Sequence, residues 1–342
     1  MTRSLLSFPS LLLAGSALTL AACGGGPDAG SGGANGGGGG TTPPTPATTL
    51  SVSVSSLSLA AQNPTARPAP IPGTPRSITV TNTGAEVAQL VGLDPGYVLP
   101  AGTSIVSSCS TLAPSASCQF TITPGTTTTV TPVTLNIRGN NTNTVATAIQ
   151  VLGYGSTYQG GYVFALDDAT PATGSVAGKV AGLNDVALAL PWAPDNNATG
   201  LDENAAAPCN GNSDGACNTQ YLVTLHPANL TTYAAGACEA SAAEGYSDWY
   251  LPAICEMGHA GGSVSVCGTQ AVPAQQNIQT SLVEGSSVPG VAQFYWSSTE
   301  AATSTTSAWA EYFNNVALNS QQAQFIKSAN SLPVRCVRAF TP

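Results

Sequence analysis

Any chemistry in this sequence has to start from few side chains. Two histidines, His226 and His259, occur in 342 residues. A hydrolytic triad would need one of them as its base, because imidazole exchanges protons near neutral pH. Gly211-Asn212-Ser213-Asp214-Gly215 fits the Gly-x-Ser-x-Gly string, but no strand reads before it as a nucleophile elbow needs, and no His-Glu-x-x-His pair occurs. His226 precedes Pro227 and His259 stands beside Gly261 and Gly262, so both read as solvated loop residues. The stretch "CNGNSDGAC" sets Asn210, Asn212 and Asp214 at alternating positions with Gly215 next, which mimics the start of a calcium loop. Tyr221 stands where such a loop needs a bidentate Glu, and Asn, Asp and Gly are equally the residues of tight turns. Asp202 and Glu203 are the nearby acids that could assist a cation there. Nine cysteines occur without a Cys-x-x-Cys, the short repeat of a zinc site. The sequence therefore points to no catalytic residue, no metal and no cofactor.

The start of the chain reads as an export signal. Arg3 gives a positive end, and Leu5 to Leu20 form an apolar stretch too short to span a bilayer comfortably. Leu20-Ala21-Ala22-Cys23 resembles a bacterial lipobox, in which the Cys is lipidated and becomes the new N-terminus; an ordinary signal peptide with a coincident Cys is the plainer alternative. Several acyl chains on Cys23 would hold the protein firmly in a membrane. Gly24 follows where an Asp would mark inner-membrane retention, so the expected location is the outer membrane, at the cell surface or the periplasmic face. Residues 23–49 are Gly-rich and then Thr- and Pro-rich ("TTPPTPATT"), cannot bury a core and read as a disordered tether. About 25 such residues reach about 25–30 Å on average.

Composition divides the remainder. From Leu50 to Gly155 three bases (Arg67, Arg76, Arg138) face two acids (Glu86, Asp94), a balance of +1; from Ser156 on, four bases face fourteen acids, a balance of −10. Such a surface argues against nucleic acid and against a polysaccharide held by charge alone, although Arg335 and Arg338 lie close together. With Cys23 set aside, eight cysteines remain in an oxidising compartment, an even number that favours four disulfides.

Residues 50–155 show short runs of period-two alternation, as in "LSVSVSSLSL", "RSITVTNTGAEVAQLVGL", "SCQFTITPG" and "VTPVTLNIRG", separated by Gly, Pro and Asn turns. This predicts an antiparallel sandwich, with Cys109 and Cys118 closing the loop between neighbouring strands. The stretch "ITVTNTG" followed by the Cys109–Cys118 loop and "CQFTITPG" resembles the immunoglobulin-like modules of the abnormal-spindle/hydin type; with no titratable cluster, this part reads as a spacer, a binding role on its loops being the alternative. From Ser156 the texture changes to aromatics, acids and cysteines. "GGYVFALDD", "GKVAGLNDVALAL", "QFYWSSTE", "SAWAEYFNN" and "LPVRCVRAF" read as strands. Tyr233, Ala237 and Ala240 recur at helical spacing, with Thr231 or Thr232 as cap and Gly245 as stop. Pro252 suits the first turn of a short helix in "AICEMGHA". "AVPAQQNIQTSLVEG" has room for a helical turn or two. Ser247 and Asp248 can cap the turn before Trp249, and Trp249 reads as core, because a region poor in Phe, Leu and Ile must use its aromatics there.

"GYSDWYLPAICEM", "YWSSTE", "AWAEYF" and "VRCVRAF", in that order, resemble the C-terminal domain family of the Lcl collagen-like adhesin, whose fold is akin to C-type lectins and to formylglycine-generating enzymes. Tyr250 stands where an Arg is usual, and the collagen repeats are missing. The lectin signatures for sugar-bound calcium are missing too. The resemblance implies an α+β lectin-like domain over 156–342, following the immunoglobulin-like sandwich over 50–155, in a β-rich, multi-domain chain. It implies a staple from the first helix to the last strand, Cys238 to Cys336; Cys209 with Cys217 and Cys255 with Cys267 read as local loop staples, other pairings being allowed. It also implies a non-enzymatic adhesin for glycan or protein surfaces, with Trp296, Glu300, Trp309, Glu311 and Arg335 as candidate surface positions. An envelope-assembly subunit with a protein partner is the alternative. The formylglycine-generating enzymes work through a reactive Cys pair, whereas here every Cys has a structural partner to hand.

Overall fold

The computed structural model describes residues 47–259, 265–284, 293–313 and 321–341. The export segment, Cys23 and the tether up to residue 46 lie outside the described residues, as do Gly261 and Gly262.

Strands β1 (Leu50–Val52), β2 (Ser56–Ala60), β3 (Arg76–Asn82), β4 (Gly92–Leu93), β5 (Ser104–Ser107), β6 (Ser117–Thr123), β7 (Val133–Arg138) and β8 (Val145–Leu152) form two four-stranded sheets, β1-β3-β6-β5 and β2-β8-β7-β4. Alternating residues of both sheets meet in one core that includes Ile78, Val80, Phe120 and Ile122 from one sheet and Leu57, Leu59, Leu135 and Ile149 from the other. The alternation in "RSITVTN" appears directly as buried and half-buried positions in turn. The expectation of a wholly antiparallel arrangement needs correction: β2 and β8 run parallel. The single period-two run at residues 50–59 also splits between the two sheets. The physical reason lies on the outer face of β2. Ser58 and Ala60, which point away from the sandwich core, are buried under later residues, and strands buried on both faces suit parallel pairing.

After residue 155 come β9 (Thr157–Tyr158), β10 (Gly161–Asp167), β11 (Ala177–Gly182), β12 (Ala187–Leu190), β13 (Phe294–Ala301), β14 (Ser304–Tyr312), β15 (Gln321–Ile326), β16 (Leu332–Val334) and β17 (Val337–Phe340). They form sheets β17-β11-β10-β9, β13-β14-β15 and β12-β16. Helices α1 (Gly215–Leu225), α2 (Ala234–Glu239) and α3 (Ile254–Met257) lie between β12 and β13. Helix α1 falls where the sequence reads as a turn or a calcium loop. Asp214 is its cap, its carboxylate accepting from the Cys217 amide at 3.0 Å. The expected longer helix over residues 230–246 is only α2 flanked by two 3-10 turns, and α3 begins two residues after Pro252. The segment expected to hold a helical turn forms a π-helical one, Gln279–Val283.

The described residues form one compact unit. Ala60, Ala66, Ile71 and Leu152 belong to the same apolar cluster as Trp192, Trp249 and Trp296, so the interior runs on across residue 155. Arg76, fully buried, donates to the carbonyls of Pro171 and Gly174 at 2.9 Å each and pairs with Asp168 at 3.2 Å. The other Asp168 oxygen accepts from the Thr74 amide at 2.7 Å. The loop between β10 and β11 thereby clasps the end of β3. The structure pairs Cys109 with Cys118, Cys209 with Cys217, Cys238 with Cys336 and Cys255 with Cys267. The long staple starts from α2 rather than from the first helix, α1.

Candidate functional site

The "GYSDWYLP" segment runs alongside β17, where the Tyr250 and Val337 backbones exchange hydrogen bonds at 2.8 and 2.9 Å. Trp249 is thereby turned inward, 2% exposed, with its indole N–H donating to the Ala243 carbonyl at 3.2 Å. Asp248 reaches across to β17. Its carboxylate takes a two-point bond from Arg338, Nε to Oδ1 at 2.6 Å and Nη2 to Oδ2 at 2.9 Å, and this hydrogen bonding holds its carboxyl below the usual range. The Arg338 guanidinium also lies 4.0 Å from the Tyr246 ring centroid. Beside Trp249 opens a small cleft, with Asn184, Asp185, Ser241 and Glu244 as its polar lining. Gly160 is needed at its rim: a Cβ there would lie 2.8 Å from the Glu244 Cβ, and the residue has φ +85°. Asp185 accepts from Arg335 Nε at 2.7 Å and from the Tyr295 hydroxyl at 3.1 Å, which leaves Glu244, Asn184 and Ser241 as the groups free of those pairs. Carboxylate, amide and hydroxyl side chains of this kind suit hydrogen-bonded recognition.

The five positions expected at a binding surface are inside instead. Trp296 is fully buried and donates to the Leu190 carbonyl at 2.8 Å; Trp309 is buried and donates to Glu203 at 2.9 Å. Glu300 accepts from the Thr199 amide at 3.0 Å and the Gly200 amide at 2.7 Å, and forms an ion pair with Lys327. Glu311 is buried on β14 opposite Gln322 of β15, and Arg335 is buried against Asp185. Four of the five sit on β13 and β14, so the structure does bring them together, as interior. The cause is composition: where aliphatic side chains are scarce, indoles fill the core and ions are neutralised in pairs. Arg335 and Arg338 form no basic patch, since each is matched to an acid.

Other side chains carry weight the sequence did not reveal. Lys327 is fully buried, pairs with Glu300, donates to the Asn197 carbonyl at 2.8 Å and lies 4.8 Å from the Trp192 ring. Burial lowers its pKa. Its scarcity, as one of four bases among fourteen acids, is the signal that could have marked it. Glu256 accepts from Lys179 at 2.5 Å, from the Tyr250 hydroxyl at 3.0 Å and from the Ala253 amide at 2.8 Å. Tyr250, at the place where the family resemblance leads one to expect Arg, thus contributes a neutral donor, its pKa raised by burial and by Glu256. His259 is no solvated loop residue. It is 2% exposed and its Nε2 lies 2.9 Å from Glu284. Among the described residues no three His, Cys, Asp or Glu side chains assemble a metal site, and no helix is long and apolar enough to cross a membrane.

Residues 183–338 match the family model of the Lcl C-terminal domain, which supports an Lcl-type relationship for that part of the chain. No curated protein matches. Solved structures with similar stretches include a protein of unknown function from Porphyromonas gingivalis (10% identity, 33% of this chain and 50% of that one, TM-score 0.23). They also include the secreted serine protease VesC from Vibrio cholerae (17% identity, 42% of this chain and 35% of that one, TM-score 0.23). A third is the ASH/PapD-like domain 7 of human CEP192 (12% identity, 35% of this chain and 93% of that one, TM-score 0.21). The chain spans half or less of the first two.

Proposed function

We propose that this protein is a non-enzymatic bacterial lipoprotein that presents a lectin-like domain for adhesion to, or binding of, glycan or protein surfaces. In this reading Cys23 is lipidated and holds the chain at the outer membrane. The Gly/Thr/Pro tether lifts it from the bilayer, and the immunoglobulin-like sandwich acts as the stalk. The observation that carries it is the match of residues 183–338 to the Lcl C-terminal domain. No nucleic acid partner fits the balance of −10 after residue 155, where four bases face fourteen acids.

The test is binding of the full-length chain, in detergent, to arrayed glycans and to envelope proteins, with and without calcium, beside palmitate labelling of the wild type and of Cys23→Ser. Array or protein binding together with label lost in Cys23→Ser is the expected outcome. A folded, unlabelled chain that binds neither class of surface would sink the proposal. A second reading, an envelope-assembly subunit with a protein partner and no glycan, is favoured by one observation: all four tryptophans are buried, which removes the indoles as sugar-stacking faces.

A further inference from the structure

At the cleft beside Trp249 two loops meet, one carrying Gln159 and Gly160 after β9, the other the 3-10 turn Ala243–Gly245. Both pass through left-handed backbone there. Gln159 and Gly160 have φ of +42° and +85°, and Glu244 and Gly245 of +54° and +81°. For Gln159 and Glu244, which carry a Cβ, that conformation is costly and persists only where the surroundings hold it. Arg338 supplies such a tie. Its buried guanidinium donates through Nη1 to the Gln159 carbonyl at 3.2 Å and to Gln159 Oε1 at 3.0 Å. The same group pairs with Asp248 and lies over Tyr246, just beyond the second loop. Left-handed residues held in place this way cluster at ligand clamps.

The lining says what the clamp suits. Leu183, Val186, Trp249 and Cys336 form an apolar wall, and Glu244 and Asn184 are exposed polar groups beside it. The neighbouring acids are already matched, Asp185 to Arg335 and Asp248 to Arg338. Among the described residues no cation meets the Glu244 carboxylate. The balance of −10 after residue 155 adds a field that draws cations and repels anions. An apolar wall beside an unmatched carboxylate is complementary to an aliphatic stem that ends in a cation, which is the form of Lys and Arg. The cleft is small, suited to one side chain rather than to a run of sugar rings.

We propose that this cleft docks a basic segment of a partner protein. One Lys or Arg side chain of the partner lays its stem along Leu183, Val186 and Trp249 and brings its cation to the Glu244 carboxylate, with the Asn184 amide oxygen as a second acceptor. The assignment rests on the binding role proposed above and gives that role a site and a partner of stated chemistry.

The experiment is affinity selection of random dodecapeptides on the full-length chain, in detergent, followed by titration of the best peptide. The selected peptides should share one Lys or Arg beside apolar residues, and exchanging it for Gln should weaken binding about tenfold or more. Glu244→Gln should weaken the same peptide about as much without moving the melting temperature, since the side chain is exposed. Glu86→Gln, which removes the same charge from the sandwich, should leave the affinity within about twofold. Glu244→Gly should also lose the peptide, yet not lower the melting temperature, because glycine takes up left-handed backbone freely. Peptides with no shared cation, no selected peptide at all, or equal losses in Glu244→Gln and Glu86→Gln would each overturn the slot. A neutral glycan that binds the wild type and is lost in Glu244→Gln would overturn the basic partner. Envelope-protein binding that Glu244→Gln leaves intact overturns the slot while the binding role stands, whereas a wild type that binds neither envelope proteins nor glycans removes the role itself.

Discussion

The sandwich and the region after it build their interiors by different means. The sandwich core is almost entirely Leu, Ile, Val and Phe on alternating positions, its one disulfide closes a nine-residue separation, and its Arg138–Asp94 pair is on the surface. The later region holds all four tryptophans, two of its three disulfides and the Lys327–Glu300 pair inside. Aliphatic burial is non-directional, so one residue can stand in for another at modest cost. An indole N–H or a buried ion must find one particular partner, and removing that partner strands it. The later region should therefore be the more brittle of the two under single substitutions.

The sharpest test of that contrast is the pair of staples. Replacing Cys238 and Cys336 with Ser opens a 98-residue separation and should cost about 4.7 kcal/mol in the chain-entropy picture. Denaturant unfolding followed by tryptophan fluorescence suits this, since every Trp lies after residue 155. Next comes Lys327→Met, which leaves Glu300 buried without its cation and should cost about 3–5 kcal/mol. Adding Glu300→Gln should restore part of the loss, and a double variant no better than the single would mean that the pair is not the source. The sandwich counterpart, Cys109→Ser with Cys118→Ser, opens a separation of only nine and should cost about 2.6 kcal/mol. If it equals or exceeds the long staple, the comparison fails.

The smallest effect concerns pH. Arg338 holds the Asp248 carboxyl below its ordinary range, so the folded state binds fewer protons there than the unfolded chain. The resulting stability is present above the ordinary carboxylate pKa and is lost as pH falls through the lower, folded value. Asp248→Asn should lower the melting temperature slightly at neutral pH and make its acid limb shallower. The side chain is 54% exposed, so the loss should stay within about 1 kcal/mol. An unchanged acid limb would show that the pair contributes nothing.

The two regions also differ in how well they can be read in advance. Period-two alternation places β3, β6 and β7 close to their observed limits, because a strand with one wet face writes its pattern into the sequence. It misleads at residues 50–59, where the chain changes sheets and the outer face of β2 is covered by residues about a hundred positions later. Helix α1 escapes notice because Asn, Asp and Gly serve both turns and helix starts, and which role they take here follows from where the Asp214 carboxylate points.

What the sequence by itself determined is local or compositional. The strand alternation, the change of texture near residue 155, the core role of Trp249 and the short cysteine loops all rest on neighbours within about a dozen residues or on the supply of residue types. The tertiary structure alone decided that Trp296, Glu300, Trp309, Glu311 and Arg335 lie inside and that His259 faces Glu284. It alone decided that Arg76 is clasped by a loop about a hundred residues on, and that Arg338 joins two loops beside Trp249. Each of these depends on which distant segment covers a side chain, and a polar residue looks the same in sequence whether water or a buried partner satisfies it.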